Sequence, residues 1–178
     1  NLQLGDLGVL RGLPIVELSL VGTSVTDLRP LAGLPLEVLE LRGARVSDLS
    51  PLRGMNLRVL EMWGAGVSDL SPLAGMPLKE LNVGGNLKLR DLKPLAGLPL
   101  EKLDAGWLSI TDISALRGLP LRELLMHYNG DLRPDFSPLA HSPTLERISL
   151  PHGISDLSFL STLPKLQQVE WHKGQEKE

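Results

Sequence analysis

Cysteine is absent from the 178-residue chain. A disulfide framework, a thiolate metal site and a cysteine nucleophile are thereby excluded. Extracellular repeat proteins often staple their ends with cysteines, so the same absence leans towards a cytoplasmic location. Aromatic residues make up only 3% of the chain, so the place of each carries weight. Charge of one sign is also lacking: 18 Lys and Arg stand against 21 Asp and Glu, a net −3. That balance argues against a dedicated nucleic-acid or membrane-surface binder. No apolar run approaches the ~18 residues of a membrane span, and no secretory apolar segment opens the chain.

Catalytic signatures are missing too. The sequence has no P-loop, no H-E-x-x-H, no G-x-S-x-G and no dinucleotide fingerprint. Val83-Gly84-Gly85-Asn86 reads as a turn rather than a phosphate cradle. Glu40 and Glu61 could be imagined as a carboxylate pair, but an open sheet face offers them no water-excluding pocket. The expectation is a non-enzyme without a cofactor.

What the chain has instead is one phrase said over and over. Pro35–Met55 reads PLEVLELRGARVSDLSPLRGM, and close copies precede it from Pro14 and follow it from Asn56. Further units start near Pro77, Pro99, Pro120 and Pro143, with partial units at Asn1–Leu13 and Pro164–Glu178. Self-similarity at a period of about 21 residues is the signature of a solenoid. Residues 1–178 therefore read as a single domain of about eight units, each 21–23 residues long.

The spacing assigns each part of a unit. In Leu36-x-x-Leu39-x-Leu41 the alternating end predicts a short strand with one buried face. Gly43 turns the chain. Val46, Leu49, Leu52 and Met55 follow at steps of three, the spacing of one buried edge on tight 3₁₀-like turns. Ser50-Pro51 fits a helical start, Ser as N-cap and Pro at the first position. Such a unit cannot bury its leucines alone, but stacked units align their strands at ~4.8 Å into one parallel sheet.

The pattern L-x-x-L-x-L-x-G-x-x-V-x-D-L-x-P-L-x-G-L-P resembles the leucine-rich repeat family in its short bacterial form, over essentially the whole chain. The resemblance implies an α/β solenoid. It would be a right-handed superhelix with a parallel β-sheet on the concave face and short 3₁₀ turns on the convex side. One departure stands out. Many family members place Asn at the turn after the strand, whereas here that column reads Thr23, Ala44, Ala65, Asn86, Leu108 and Asn129. Gly22, Gly43, Gly64 and Gly85, one position earlier, are expected to tighten the turn instead.

Residues that recur in every unit belong to the scaffold. The Asp column (Asp6, Asp27, Asp48, Asp69, Asp91, Asp112, Asp135 and Asp156) could suggest calcium, but one carboxylate per unit is a thin ligand set. An Asp before a turn more often accepts backbone N–H groups.

Residues that vary on the fixed frame are the candidates for function. The outward strand column reads Ser19, Glu40, Glu61, Asn82, Asp104, Leu125, Ser149 and Glu170, and with its two flanking columns it holds seven acids against three Lys or Arg. Such a face suits a basic protein partner, against the plainer reading of a solvated polar sheet. Trp63 falls on the same face. Trp107 and Tyr128 occupy the position held by Gly in four earlier units, with Gly84-Gly85 leaving a gap between the two Trp. Exposed aromatics beside carboxylates are what interface hot spots are made of; the alternative for Trp107 is an inward plug. Trp171 sits at a buried strand position and reads as core or end cap. The candidate partner-binding strip is thus Glu40, Glu61, Trp63, Asp104, Trp107, His127 and Tyr128. His127, His152 and His172 lie near one edge of three strands, with Glu170 or Asp131 nearby, but match no zinc spacing. The longest unit carries the insertion NGDLRPD at Asn129–Asp135, a further contact candidate.

Asn1 begins within a unit, so the chain reads as the C-terminal part of a larger protein. By resemblance, such arrays serve as ligand-sensing arms of NACHT-type signalling NTPases or accompany kinase domains in bacteria; internalin-like arrays act as surface adhesins. The expectation is a protein-recognition module of a signalling or defence protein, monomeric in isolation. The alternative is a structural spacer or an adhesin.

Overall fold

The computed structural model describes residues 7–128 and 134–171. Eight short strands run through them: β1 (Glu17–Ser19), β2 (Val38–Glu40), β3 (Val59–Glu61), β4 (Glu80–Asn82), β5 (Lys102–Asp104), β6 (Glu123–Leu125), β7 (Arg147–Leu150) and β8 (Gln168–Trp171). They form one parallel sheet in sequential order. A 3₁₀ helix lies between each pair of neighbouring strands, from Arg29–Leu31 to Ser158–Thr162, and the described residues contain no α-helix. This is the expected solenoid, with strands on one side and tight turns on the other.

Register follows from the leucines. Leu18, Leu39, Leu60, Leu81, Leu103, Leu124, Ile148 and Val169 align across the sheet. The six inner members are buried; Leu18 and Val169, on the edge strands, are only partly covered. Each fully buried side chain contributes ~1.5–3 kcal/mol, but only because the next unit covers it. Val46, Leu49, Leu52 and Met55, the residues at steps of three, are buried behind the sheet as the spacing implies. Between coils, backbone bonds such as Leu41 N–H to Glu61 O (2.6 Å) and Gly43 N–H to Trp63 O (3.0 Å) lock the register.

The aspartate column is structural. In all seven described units the carboxylate Oδ1 accepts the backbone N–H two residues on, at 2.8–2.9 Å, where the 3₁₀ helix begins. One reading changes here. Ser50 is the first helical residue and Pro51 the second, and Leu49 before them makes no side-chain bond, so Asp48 rather than Ser50 caps the turn. Asp6 lies outside the described residues.

Among the described residues, Asn86 is the member of the sparse Asn column that works in full. Asn86 is completely buried; its Oδ1 accepts from Gly66 N–H (2.8 Å) and Val67 N–H (2.9 Å), and its Nδ2 donates to Met62 O (2.9 Å) and Val83 O (2.8 Å). It therefore ties two coils together. Thr23 reproduces one of these bonds, donating to Leu20 O at 2.8 Å. Where the column holds Ala44, the turn closes by backbone alone, with Arg45 N–H donating to Val25 O at 3.2 Å. Asn129 lies outside the described residues.

Leu39→Ala or Leu81→Ala is expected to cost about 2–5 kcal/mol in denaturant unfolding, as buried leucine truncations do. Asn86→Ala should cost at least ~3 kcal/mol, since several buried groups each lose a partner worth roughly 1–3 kcal/mol. Glu40→Gln and Glu61→Gln should change stability little; a loss as large as that of the leucines would show the faces to be reversed.

Acid should act through the turns. Hydrogen bonds from Arg29, side chain first and backbone second, lower Asp27 to about 2. Bonds from the serine two residues on hold Asp48, Asp69, Asp112, Asp135 and Asp156 below their ordinary value. A depressed carboxylate favours the fold above its unfolded value of 3.8 and ceases to do so as pH falls through the folded value. The melting temperature should therefore hold steady down to about pH 4 and decline towards pH 2. Asp48→Asn keeps the acceptor and should soften that decline, whereas Asp48→Ala should lower the melting temperature at every pH.

Candidate binding face

Residues flanking the buried leucines point to the opposite, concave side of the sheet. The central column Ser19, Glu40, Glu61, Asn82, Asp104, Leu125, Ser149 and Glu170 is aligned strand to strand, as the repeat spacing requires.

The acids on this face are not equivalent. Lys102 pairs with Glu80 (3.3 Å), and Arg147 bridges Glu123 (3.0 Å) and Glu170 (2.9 Å) across three strands. Immediately before the strands, Lys79 pairs with Glu101 (2.9 Å) and Arg122 with Glu146 (3.0 Å). Exposed pairs of this kind stabilise by only ~0–1 kcal/mol each, but they neutralise their partners. None of the ion pairs among the described residues involves Glu40, Glu61 or Asp104. Glu17 on β1 is likewise outside them, and the acids of the central column without an ion pair are Glu40, Glu61 and Asp104.

Their surroundings differ. Burial raises Glu61 above the ordinary glutamate value; Asp104 and Glu40 push the same way, against the bond from Asn82 and the charge of Arg42. Asp104 is held in place, its Oδ1 accepting Gly106 N–H (2.9 Å) while Asn82 Nδ2 approaches its Oδ2 (3.4 Å). Asn82 Oδ1 in turn accepts Gly84 N–H at 3.0 Å. Glu61, Asn82, Asp104 and Leu125 share one shallow depression in the sheet face.

Glycines seat the aromatic rings above this strip. A Cβ on Gly84 would stand 2.8 Å from Trp63 Cδ1, and one on Gly85 would stand 3.0 Å from Trp63 Cε2. The indole of Trp63 thus lies along Gly84-Gly85, and the gap expected between the two tryptophans is occupied by the first of them. A Cβ on Gly106 would meet His127 Nε2 at 2.7 Å, so that imidazole fills the next glycine's space. Trp107 stacks on Tyr128 with centroids 4.5 Å apart and planes 26° apart, and His127 meets Tyr128 edge-on at 5.4 Å. Trp63 is 43% and Trp107 38% exposed. Trp107 is therefore no inward plug.

Trp107 and Tyr128 both have φ 56°, close to the 64–69° of Gly22, Gly43, Gly64 and Gly85 at the same turn. The left-handed turn that glycine accepts freely is kept here by two bulky aromatics.

Other candidates fare differently. Trp171, expected as core or cap, is 55% exposed on edge strand β8, while its register partner Leu150 is fully buried. A buried position needs a neighbouring coil, and β8 has one on a single side. His152 is exposed, His172 and Asp131 lie outside the described residues, and no group of three potential metal ligands occurs among the described ones. Of the insertion, residues 129–133 are outside the description; Pro134 is buried and Asp135 caps its turn.

No protein-family model and no curated protein matches the sequence. Solved structures do. An internalin (inlF) from Listeria monocytogenes superimposes with a TM-score of 0.86 at 29% identity, over 98% of this chain and 53% of that one. An internalin C2 (inlC2) from the same organism gives a TM-score of 0.81 at 32% identity, over 89% of this chain and 71% of that one. This chain belongs to the leucine-rich repeat family. It spans about half the length of the first internalin. On the leucine-rich repeat frame this chain carries cross-strand ion pairs, the Asn86 tie and the glycine-seated rings. Sequence reasoning missed the pairing, although the alternation Glu80, Lys102, Glu123, Arg147 down one column was its signal.

Replacing Trp107 separates backbone from ring. Trp107→Gly and Trp107→Ala both delete the indole, but Ala must still hold the left-handed turn. The Gly variant should be the more stable by ~1 kcal/mol in urea unfolding, and equal stabilities would show that the turn relaxes to a negative φ.

Proposed function

We propose that this leucine-rich repeat solenoid is a protein-binding module whose concave strip of Glu40, Glu61, Trp63, Asp104, Trp107, His127 and Tyr128 engages a basic patch on a partner. The observation that carries this reading is the juxtaposition of half-exposed rings with Glu40, Glu61 and Asp104, concave carboxylates that make no salt bridge among the described residues. Rings of this kind supply desolvated contact area, and unpaired charge steers association. The same rigid frame would serve two settings: the recognition arm of a larger bacterial signalling or defence protein of the NACHT type, or an internalin-like surface adhesin. The likeness to two Listeria internalins favours the second.

Photo-crosslinking tests the face. A benzoyl-phenylalanine placed at Glu40 should capture a partner from cells of the source, and one at Arg53 on the convex side should not. Against that partner, Trp63→Ala and Trp107→Ala should each weaken binding by at least ~2 kcal/mol, about thirtyfold in Kd, with little change in melting temperature. Added salt should slow association more than it speeds dissociation. Undiminished binding by the double variant would reject the strip and direct attention to the convex loops.

A further inference from the structure

Four rings overlay three successive coils along one border of the concave face. The indole of Trp63 covers the glycines of the fourth coil, His127 covers Gly106 of the fifth, and Trp107 of the fifth stacks on Tyr128 of the sixth. Each placement has a steric condition. Gly84, Gly85 and Gly106 must lack a Cβ for the rings to sit where they do, and Trp107 and Tyr128 must hold a left-handed backbone that glycine holds in the four preceding turns. A ring needed only for packing would have no reason to accept that strain and then leave over a third of the Trp107 surface in solvent.

Two residues back along the same coils from Trp63, Gly84 and Gly106 stand Glu61, Asn82 and Asp104. Of the three cations on this face, Lys102 is paired with Glu80 and Arg147 with Glu123 and Glu170, while Arg42 acts on Glu61 through its charge without forming an ion pair among the described residues. Ring faces above and carboxylates without an ion pair below form a combined demand. A guanidinium meets both halves at once, because its plane stacks on an aromatic ring while its in-plane N–H groups donate to a carboxylate. An ammonium is a point charge and meets the two demands less well. A sugar ring would use the aromatic faces but not the net negative charge.

Resting on the protein-binding reading above, we propose that the ledge of Trp63, His127, Trp107 and Tyr128, with Glu61 and Asp104 beneath it, recognises an extended arginine-bearing segment of the partner. Three strand spacings of ~4.8 Å separate β3 from β6, roughly the length of four extended residues, so the segment is short.

The probe is the peptide acetyl-Gly-Arg-Gly-Arg-Gly-Arg-Gly-amide, with its lysine and citrulline counterparts and a soluble β-glucan tetramer as comparisons. The readout is the indole N–H resonances of Trp63, Trp107 and Trp171 in the 178-residue chain. The arginine peptide should shift Trp63 and Trp107 saturably and leave Trp171 unmoved. It should bind roughly threefold to tenfold more tightly than the lysine peptide, the range of a cation–π contact, and the citrulline peptide should not saturate. Trp63→Ala and Glu61→Gln should each weaken the arginine peptide, with circular dichroism confirming the fold; Trp107→Gly, which keeps the turn, is the second variant. Equal binding of arginine and lysine without indole shifts, no binding at all, or tighter saturation by the glucan would overturn the proposal. A crosslinked partner that needs Trp63 but is not displaced by the arginine peptide would refute the guanidinium chemistry alone and leave the protein-binding reading standing.

Discussion

Everything in this molecule depends on one coil covering the next. A three-residue strand such as Val38–Glu40 has a single inward side chain, Leu39, and no means of removing it from water by itself. Aligned with Leu60 on one side and Leu18 on the other, it becomes part of a continuous apolar wall. The backbone bonds between coils and the side-chain columns behind them demand the same register, so neither can slip without the other. The aspartates that cap each 3₁₀ helix serve the same end. They fix where every return path starts, so that Val46, Leu49, Leu52 and Met55 arrive behind the strand at the right height.

That dependence explains which parts of the structure were legible in the sequence. A residue doing the same job in every coil leaves a column, and columns can be read: the strand leucines, the step-of-three apolar edge, the turn glycines and the capping aspartates all stand where the spacing put them. Jobs done once leave no column. Nothing in the string VGGN says that the indole of Trp63, 21 residues before Gly84, will lie on those glycines, because the contact depends on a ring crossing to the next coil. Of the two readings of Trp171, core or end cap, core fails for a related reason. Its position is a buried one, but burial there comes from the following coil rather than from the position itself. The error over Ser50 is smaller and has the same root: Ser-Pro is a common start for an isolated helix, whereas here the neighbouring aspartate already supplies the cap.

The face that varies can be understood as what remains after the frame has taken its share of charge. Seven acids and three cations looked like a diffuse negative surface. Lateral pairing between strands about 4.8 Å apart sorts them, engaging Glu80, Glu123 and Glu170 and leaving Glu17, Glu40, Glu61 and Asp104 without an ion pair. The tension is visible in Glu61, which holds its proton more tightly than an ordinary glutamate because it is partly buried between two like charges. A surface so arranged is selective by what it has left uncompensated, and the rings beside it are placed where that selectivity can be converted into contact.

Asn86 gives the solenoid an uneven stiffness. Most coils are joined to their neighbours by the backbone ladder and apolar packing, both of which tolerate small changes in curvature. The third and fourth coils are also bolted by three short hydrogen bonds converging on one buried amide, which a fourth bond to Val83 fixes in its own coil. Bending or stretching of the superhelix will therefore be taken up on either side of that joint. The joint lies immediately behind Gly84 and Gly85, on which the Trp63 ring rests, so the most exposed part of the ledge is mounted on the least compliant stretch of the spring.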